Sequence, residues 1–92
     1  HQPPEVLNYR ARDRGPRLKA GMCLAIEPML TRGSRHTQVL EDDWTVVTSD
    51  GSRAAHWEHT VAILPEGIWV LTARDGGAEA LAARGVSVDA LD

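Results

Sequence analysis

Two acidic residues stand where acids are costly. Glu27 interrupts the apolar run Gly21-Met22-Cys23-Leu24-Ala25-Ile26-Glu27-Pro28-Met29-Leu30, and Glu58 interrupts Trp57-Glu58-His59-Thr60-Val61-Ala62-Ile63-Leu64. Both runs read as buried strands. Glu disfavours strands, and an ionised carboxylate in an apolar medium needs a partner. Side chains alternate faces along a strand. Glu27 therefore shares its side with Cys23 and Ala25, and Glu58 shares its side with Thr60 and Ala62. Met22, Leu24 and Ile26, and likewise Trp57, His59, Val61 and Ile63, take the opposite sides. Small neighbours leave room for something that is not a side chain. Two nearby carboxylates repel until one takes up a proton, and a divalent cation between them removes that problem. Carboxylate donors suit Mn, Fe, Co or Zn. The same residues leave open a purely structural alternative, in which each Glu pairs with one of the chain's many Arg.

The elements that must position these acids follow from the rest of the chain. Pro3-Pro4 excludes helix at the start, after which Val6-Leu7 reads as a short strand. Arg10 to Lys19 is basic, but it has no interleaved aromatics and contains Gly15-Pro16, so it reads as a solvated loop rather than a nucleic-acid surface. Pro28 has no N–H, so the chain leaves or bulges from the ladder there and Glu27 falls at a strand end. Cys23 reads as a small core residue rather than a nucleophile. Residues 31–43 read as a loop in which His36 is solvated, and Trp44-Thr45-Val46-Val47-Thr48 as a strand with Trp44 partly in the core. Ser49 to Ser52 is a turn. By alternation His56 shares the side of Glu58 and His59 does not; both read as structural partners rather than ligands. A Pro65-Glu66-Gly67 turn returns the chain through Ile68–Thr72 as a hairpin. Gly76 to Gly85 holds good helix formers with Gly85 placed to end the helix and Leu81 to dock on the core, while residues 86–92 carry no readable function. The fold class is α+β, mainly antiparallel strands with a short C-terminal helix.

Composition bounds the reading. Ninety-two residues make one small domain with a modest core, and 42% hydrophobic with 25% charged argues against disorder. The net charge of −3 divides into +4 over residues 1–39 and −7 over 40–92. A single cysteine forms no internal disulfide, so a reducing, cytoplasmic setting is expected. No apolar run approaches the roughly 18 residues of a membrane span.

Four phrases add to this. Ala25-Ile26-Glu27-Pro28-Met29, Asp43-Trp44-Thr45-Val46-Val47-Thr48 and Trp57-Glu58-His59-Thr60 resemble the second half of type I methionine aminopeptidases, and His1-Gln2-Pro3-Pro4-Glu5-Val6-Leu7-Asn8-Tyr9 resembles that family's metal-histidine segment. The phrases fall in the family's order. The resemblance implies the C-terminal half of a creatinase, or pita-bread, fold over residues 1–75, followed by a helical tail over 76–92. It implies metal-dependent removal of the N-terminal methionine from nascent polypeptides, with two divalent ions (Co, Mn, Fe or Zn) activating water and polarising the scissile carbonyl. His1 and Glu27 would hold one metal, Glu58 would bridge both, and Glu27 would take the proton of the attacking water. Trp44 would border the pocket for the methionine side chain. Asn8 stands where many members carry a second His; it can donate a hydrogen bond to substrate but cannot shuttle protons. The family's two metal-binding Asp and its other active-site His lie upstream of these residues. The chain therefore reads as a piece of a longer, monomeric enzyme, inactive alone, with nascent chains and a ribosome surface as expected partners and no membrane. The alternatives are a proline-specific aminopeptidase or prolidase of the same fold, whose usual phrase at Trp57–Thr60 differs, and a non-catalytic binding remnant.

Overall fold

The computed structural model describes residues 2–91. The chain divides into two compact units, one formed by residues up to Glu27 together with those from Glu58 onward, the other by Pro28–Trp57.

The first unit holds a three-stranded antiparallel sheet in the order β1-β6-β7, made of β1 (Cys23–Ile26), β6 (His59–Leu64) and β7 (Gly67–Val70). β6 is central and longest, and its Thr60, Val61 and Ile63 are the β-branched residues that suit a pleated surface. Pro65 and Glu66 form the turn between Leu64 and Gly67, so the expected hairpin is present. Leu24 pairs with Val61, and Val61 with Val70, which puts all three on one face. These three, with Ala62, are the buried apolar residues among those described. Full burial of such side chains contributes about 1.5–3 kcal/mol each. Ala62 also pairs with Trp69, so the indole stands on the other face, beside the small residues of β1 and β6.

Two consecutive glycines close this unit. A side chain at Gly76 would lie 2.3 Å from the Trp69 ring, and one at Gly77 would lie 2.8 Å from Val70 Cγ2. Both also hold positive φ, 66° and 85°, which L side chains disfavour. The short helix α1 (Ala78–Ala82) follows. Its start is capped from upstream: Asp75 accepts hydrogen bonds from the backbone amides of Gly77 (2.9 Å) and Glu79 (3.0 Å). These amides, Glu79 first, hold the Asp75 carboxyl below its ordinary range. The tail then returns to the hairpin, Asp89 donating its amide to the Ile68 carbonyl (3.0 Å) and accepting from the Glu66 amide (3.0 Å).

The second unit holds two antiparallel pairs, β2 (Met29–Thr31) with β5 (Ala54–His56), and β3 (Thr37–Val39) with β4 (Val46–Thr48). None of its residues is buried. Side-chain acceptors tie its loops instead. Asp50 accepts from the backbone amides of Ser34 (2.8 Å) and Ser52 (3.0 Å). The Ser52 hydroxyl beside it, with those two amides, holds its carboxyl at about 2.

Four local expectations are corrected. Val6-Leu7 forms no strand, since no neighbouring strand offers it a ladder. Residues 37–39, read as loop, are β3, because pairing with β4 supplies the hydrogen bonds that a three-residue run cannot announce. The strand expected from Trp44 begins only at Val46, and Trp44 is 84% exposed rather than partly in the core. Cys23 is exposed rather than a core residue, because it lies on the face of the sheet opposite Leu24 and Val61.

Candidate metal centre

Glu27 follows the last residue of β1, and Glu58 precedes the first residue of β6. β1 pairs with β6 through Cys23↔Ala62, Leu24↔Val61, Ala25↔Thr60 and Ile26↔His59. One further step along the same register sets Glu27 opposite Glu58. Directly opposed residues of an antiparallel pair share a face and have the closest cross-strand relation a sheet offers. The face is the small-residue one, carrying Cys23, Ala25, Thr60 and Ala62. Pro28, with no N–H to give, follows Glu27, and neither Glu27 nor Glu58 is inside a strand.

The burial expected of these acids does not hold. Glu27 is half-buried and Glu58 is exposed. Trp57-Glu58 is a break between β5 and β6 rather than the start of one long buried strand. At Glu58, solvation therefore carries part of what the sequence assigned to a neutralising partner.

The donor chemistry fits a divalent cation. Carboxylate oxygens are donors that suit such an ion, and small neighbours leave it space. Among the described residues no three His, Cys, Asp or Glu gather as a metal site. His1, the third ligand expected from the sequence, lies outside the described residues.

The other expected site residues are placed by their own loops. Asn8 is exposed, with a left-handed φ of 57°, and its Nδ2 donates to the Val6 carbonyl at 3.2 Å. A side-chain amide carries two donor hydrogens, so a second remains. Trp44 belongs to the second unit, in the loop before β4. His59 meets the Thr72 hydroxyl through Nδ1 at 2.6 Å, and that hydroxyl also accepts from the Thr60 amide at 3.1 Å. His59 is thus anchored on the face opposite Glu58, in keeping with a structural role. Sequence reasoning passed over Thr72, because nothing local shows that a hydroxyl beyond β7 reaches back across the hairpin. It also passed over Asp42, which accepts hydrogen bonds from the Trp44 and Thr45 amides (3.1 and 2.8 Å); an acid two residues before its donors is the signal of an Asx turn.

No family model matches the chain. Over 72 residues, 78% of the chain, it is 60% identical to methionine aminopeptidase 1 of Mycobacterium tuberculosis, 57% identical to the methionine aminopeptidase of Clostridium perfringens, and 53% identical to methionine aminopeptidase 1 of Bacillus subtilis. It spans only 27%, 29% and 29% of those relatives' lengths. Among solved structures it is similar to the methionine aminopeptidase of Thermotoga maritima (TM-score 0.69, 49% identity, covering 78% of this chain and 29% of that one). It is also similar to that of Rickettsia prowazekii (TM-score 0.71, 38% identity, covering 79% of this chain and 30% of that one). The resemblance read from the sequence is borne out, and the fold is that of a fragment of the methionine aminopeptidase, or pita-bread, fold.

Proposed function

We propose that this chain is part of a methionyl aminopeptidase and supplies a share of its metal-binding and catalytic residues. The observation that carries the proposal is the opposition of Glu27 and Glu58, one register step beyond Ile26↔His59, on a face of small side chains. The similarity to methionine aminopeptidases supports the same reading.

In this reading His1, Glu27 and Glu58 would hold the divalent ions. The ions, when bound, supply Lewis acidity toward water and the scissile carbonyl. Glu27 also accepts the proton that the attacking water gives up, a role suited to a carboxylate that is half-buried yet reachable. Asn8 donates its second amide hydrogen to a substrate peptide oxygen. Trp44 offers an apolar wall to the methionine thioether, a contact that a polarisable sulfur and an indole make favourably. The substrate is the N-terminal methionine of a polypeptide, and the metal is one of Co, Mn, Fe or Zn. No helix among the described residues is long and apolar enough to cross a membrane.

The test is Glu58→Gln in the intact protein, assayed for hydrolysis of a Met-Ala-Ser peptide. The substitution keeps the shape and removes the charge. Loss of about a thousandfold or more in turnover is expected, with the fold retained by circular dichroism. Undiminished turnover overturns the assignment. The 92 residues alone are expected to hydrolyse nothing with Mn or Co present.

A further inference from the structure

We infer that Asp42 is a positioning residue for Trp44, fixing through its carboxylate the point from which the indole is presented; this rests on the reading of Trp44 as a wall of the methionine pocket. Trp44 is 84% exposed, so packing does not hold its ring. Its placement must come from its backbone. Asp42 Oδ1 accepts from the backbone amides of both Trp44 (3.1 Å) and Thr45 (2.8 Å), and Oδ2 accepts from the Thr45 hydroxyl. One carboxylate thus gathers three donors from two consecutive residues, and bonds to an ionised acceptor are the strong ones.

The loop gives a reason for that concentration. Asp43, between the acceptor and Trp44, has φ 54°, a left-handed conformation that a residue other than Gly adopts at a cost. The Asp43 amide donates to the Leu40 carbonyl (3.0 Å), and the Leu40 amide to the Thr45 carbonyl (2.8 Å), so the loop is pinned at both ends of the strained residue. The Thr45 hydroxyl foremost, then the Thr45 and Trp44 amides, holds the Asp42 carboxyl below its ordinary range. It therefore stays an acceptor through the neutral range. Without it, the loop loses the bonds that offset the left-handed residue, and the indole has no fixed origin.

The experiment compares Trp44→Ala, Asp42→Ala, Asp42→Asn and the D42A/W44A double variant in the intact protein, on Met-Ala-Ser. Asp42→Ala is expected to raise KM about tenfold with kcat within about twofold, the signature of a lost binding contact rather than lost chemistry. Asp42→Asn keeps an oxygen for the amides but none for the Thr45 hydroxyl, and should give an intermediate KM. The double variant should be no worse than Trp44→Ala, because both changes remove the same contact. If Trp44→Ala leaves KM unchanged, the pocket reading fails and takes the inference with it. If Trp44→Ala raises KM and Asp42→Ala does not, the inference alone is overturned. A fall in kcat and melting temperature at constant KM also overturns it, since that marks a merely structural role. Should Asp42→Ala not fold, the KM of Asp42→Asn decides: raised supports, unchanged overturns.

Discussion

The two units are held by different physics. The unit containing β1, β6 and β7 buries Leu24, Val61, Ala62 and Val70, and its glycines let the chain close directly on Trp69 and Val70. The Pro28–Trp57 unit buries nothing and exposes Met29, Leu30, Trp44 and Trp57, each at least 70%. Its order comes from two short ladders and from carboxylates that accept backbone amides across its loops. Glu27 and Glu58 stand at the ends of β1 and β6, next to the core, whereas Trp44 is borne by a hydrogen-bonded loop. Loops with few buried contacts open locally at low free energy, and binding surfaces are drawn from them.

That contrast can be broken or sharpened in steps of decreasing size. Leu24→Ala removes the side chain facing Val61 and leaves a cavity; a loss of about 2–4 kcal/mol in urea unfolding is expected, followed by loss of the Glu27/Glu58 opposition. Gly77→Ala puts a methyl 2.8 Å from Val70 Cγ2 at φ 85°, and should destabilise by about 1–3 kcal/mol. A change below a few tenths in either variant would show that the first unit does not depend on its core. Thr72→Val removes the hydroxyl shared by His59 and the Thr60 amide, for which about 1 kcal/mol is expected, together with faster exchange of the Thr60 amide by NMR.

Acid gives the smallest overall effect and the most selective one. Asp42, Asp50 and Asp75 all have depressed folded-state values. A depressed carboxyl contributes stability above its unfolded value of about 3.9, and that stability is lost as pH falls through the folded value. For Asp50 the window runs from about 4 down to about 2. Over it, the amides of Ser34 and Ser52 should lose exchange protection while those of β6 keep theirs. Simultaneous loss in both would show that the units share one source of stability.

Much of the site was legible in the sequence. Alternation alone puts Glu27 with Cys23 and Ala25, and Glu58 with Thr60 and Ala62, and the pairing places these sets on one face. Pro28 marked the break after β1, and the turn at Pro65-Glu66 and the helix ahead of Gly85 came from local chemistry. These are properties of a few consecutive residues, fixed by backbone sterics and by which groups can donate. Burial was not legible. An apolar run reads as core whether or not anything covers it, so Trp44, Cys23 and Glu58 were expected inside and lie outside. Nor could the run from Thr37 to Val39 show that it had a partner nine residues on. Which strand pairs with which, and in what register, is decided by closing a loop of some thirty residues against competing pairings, a long-range balance of entropy and packing. The sequence determined that each acid stands on a small-residue face. Only the tertiary structure decided that β1 and β6 are neighbours, in the register that ends at Ile26↔His59, one step short of the two acids.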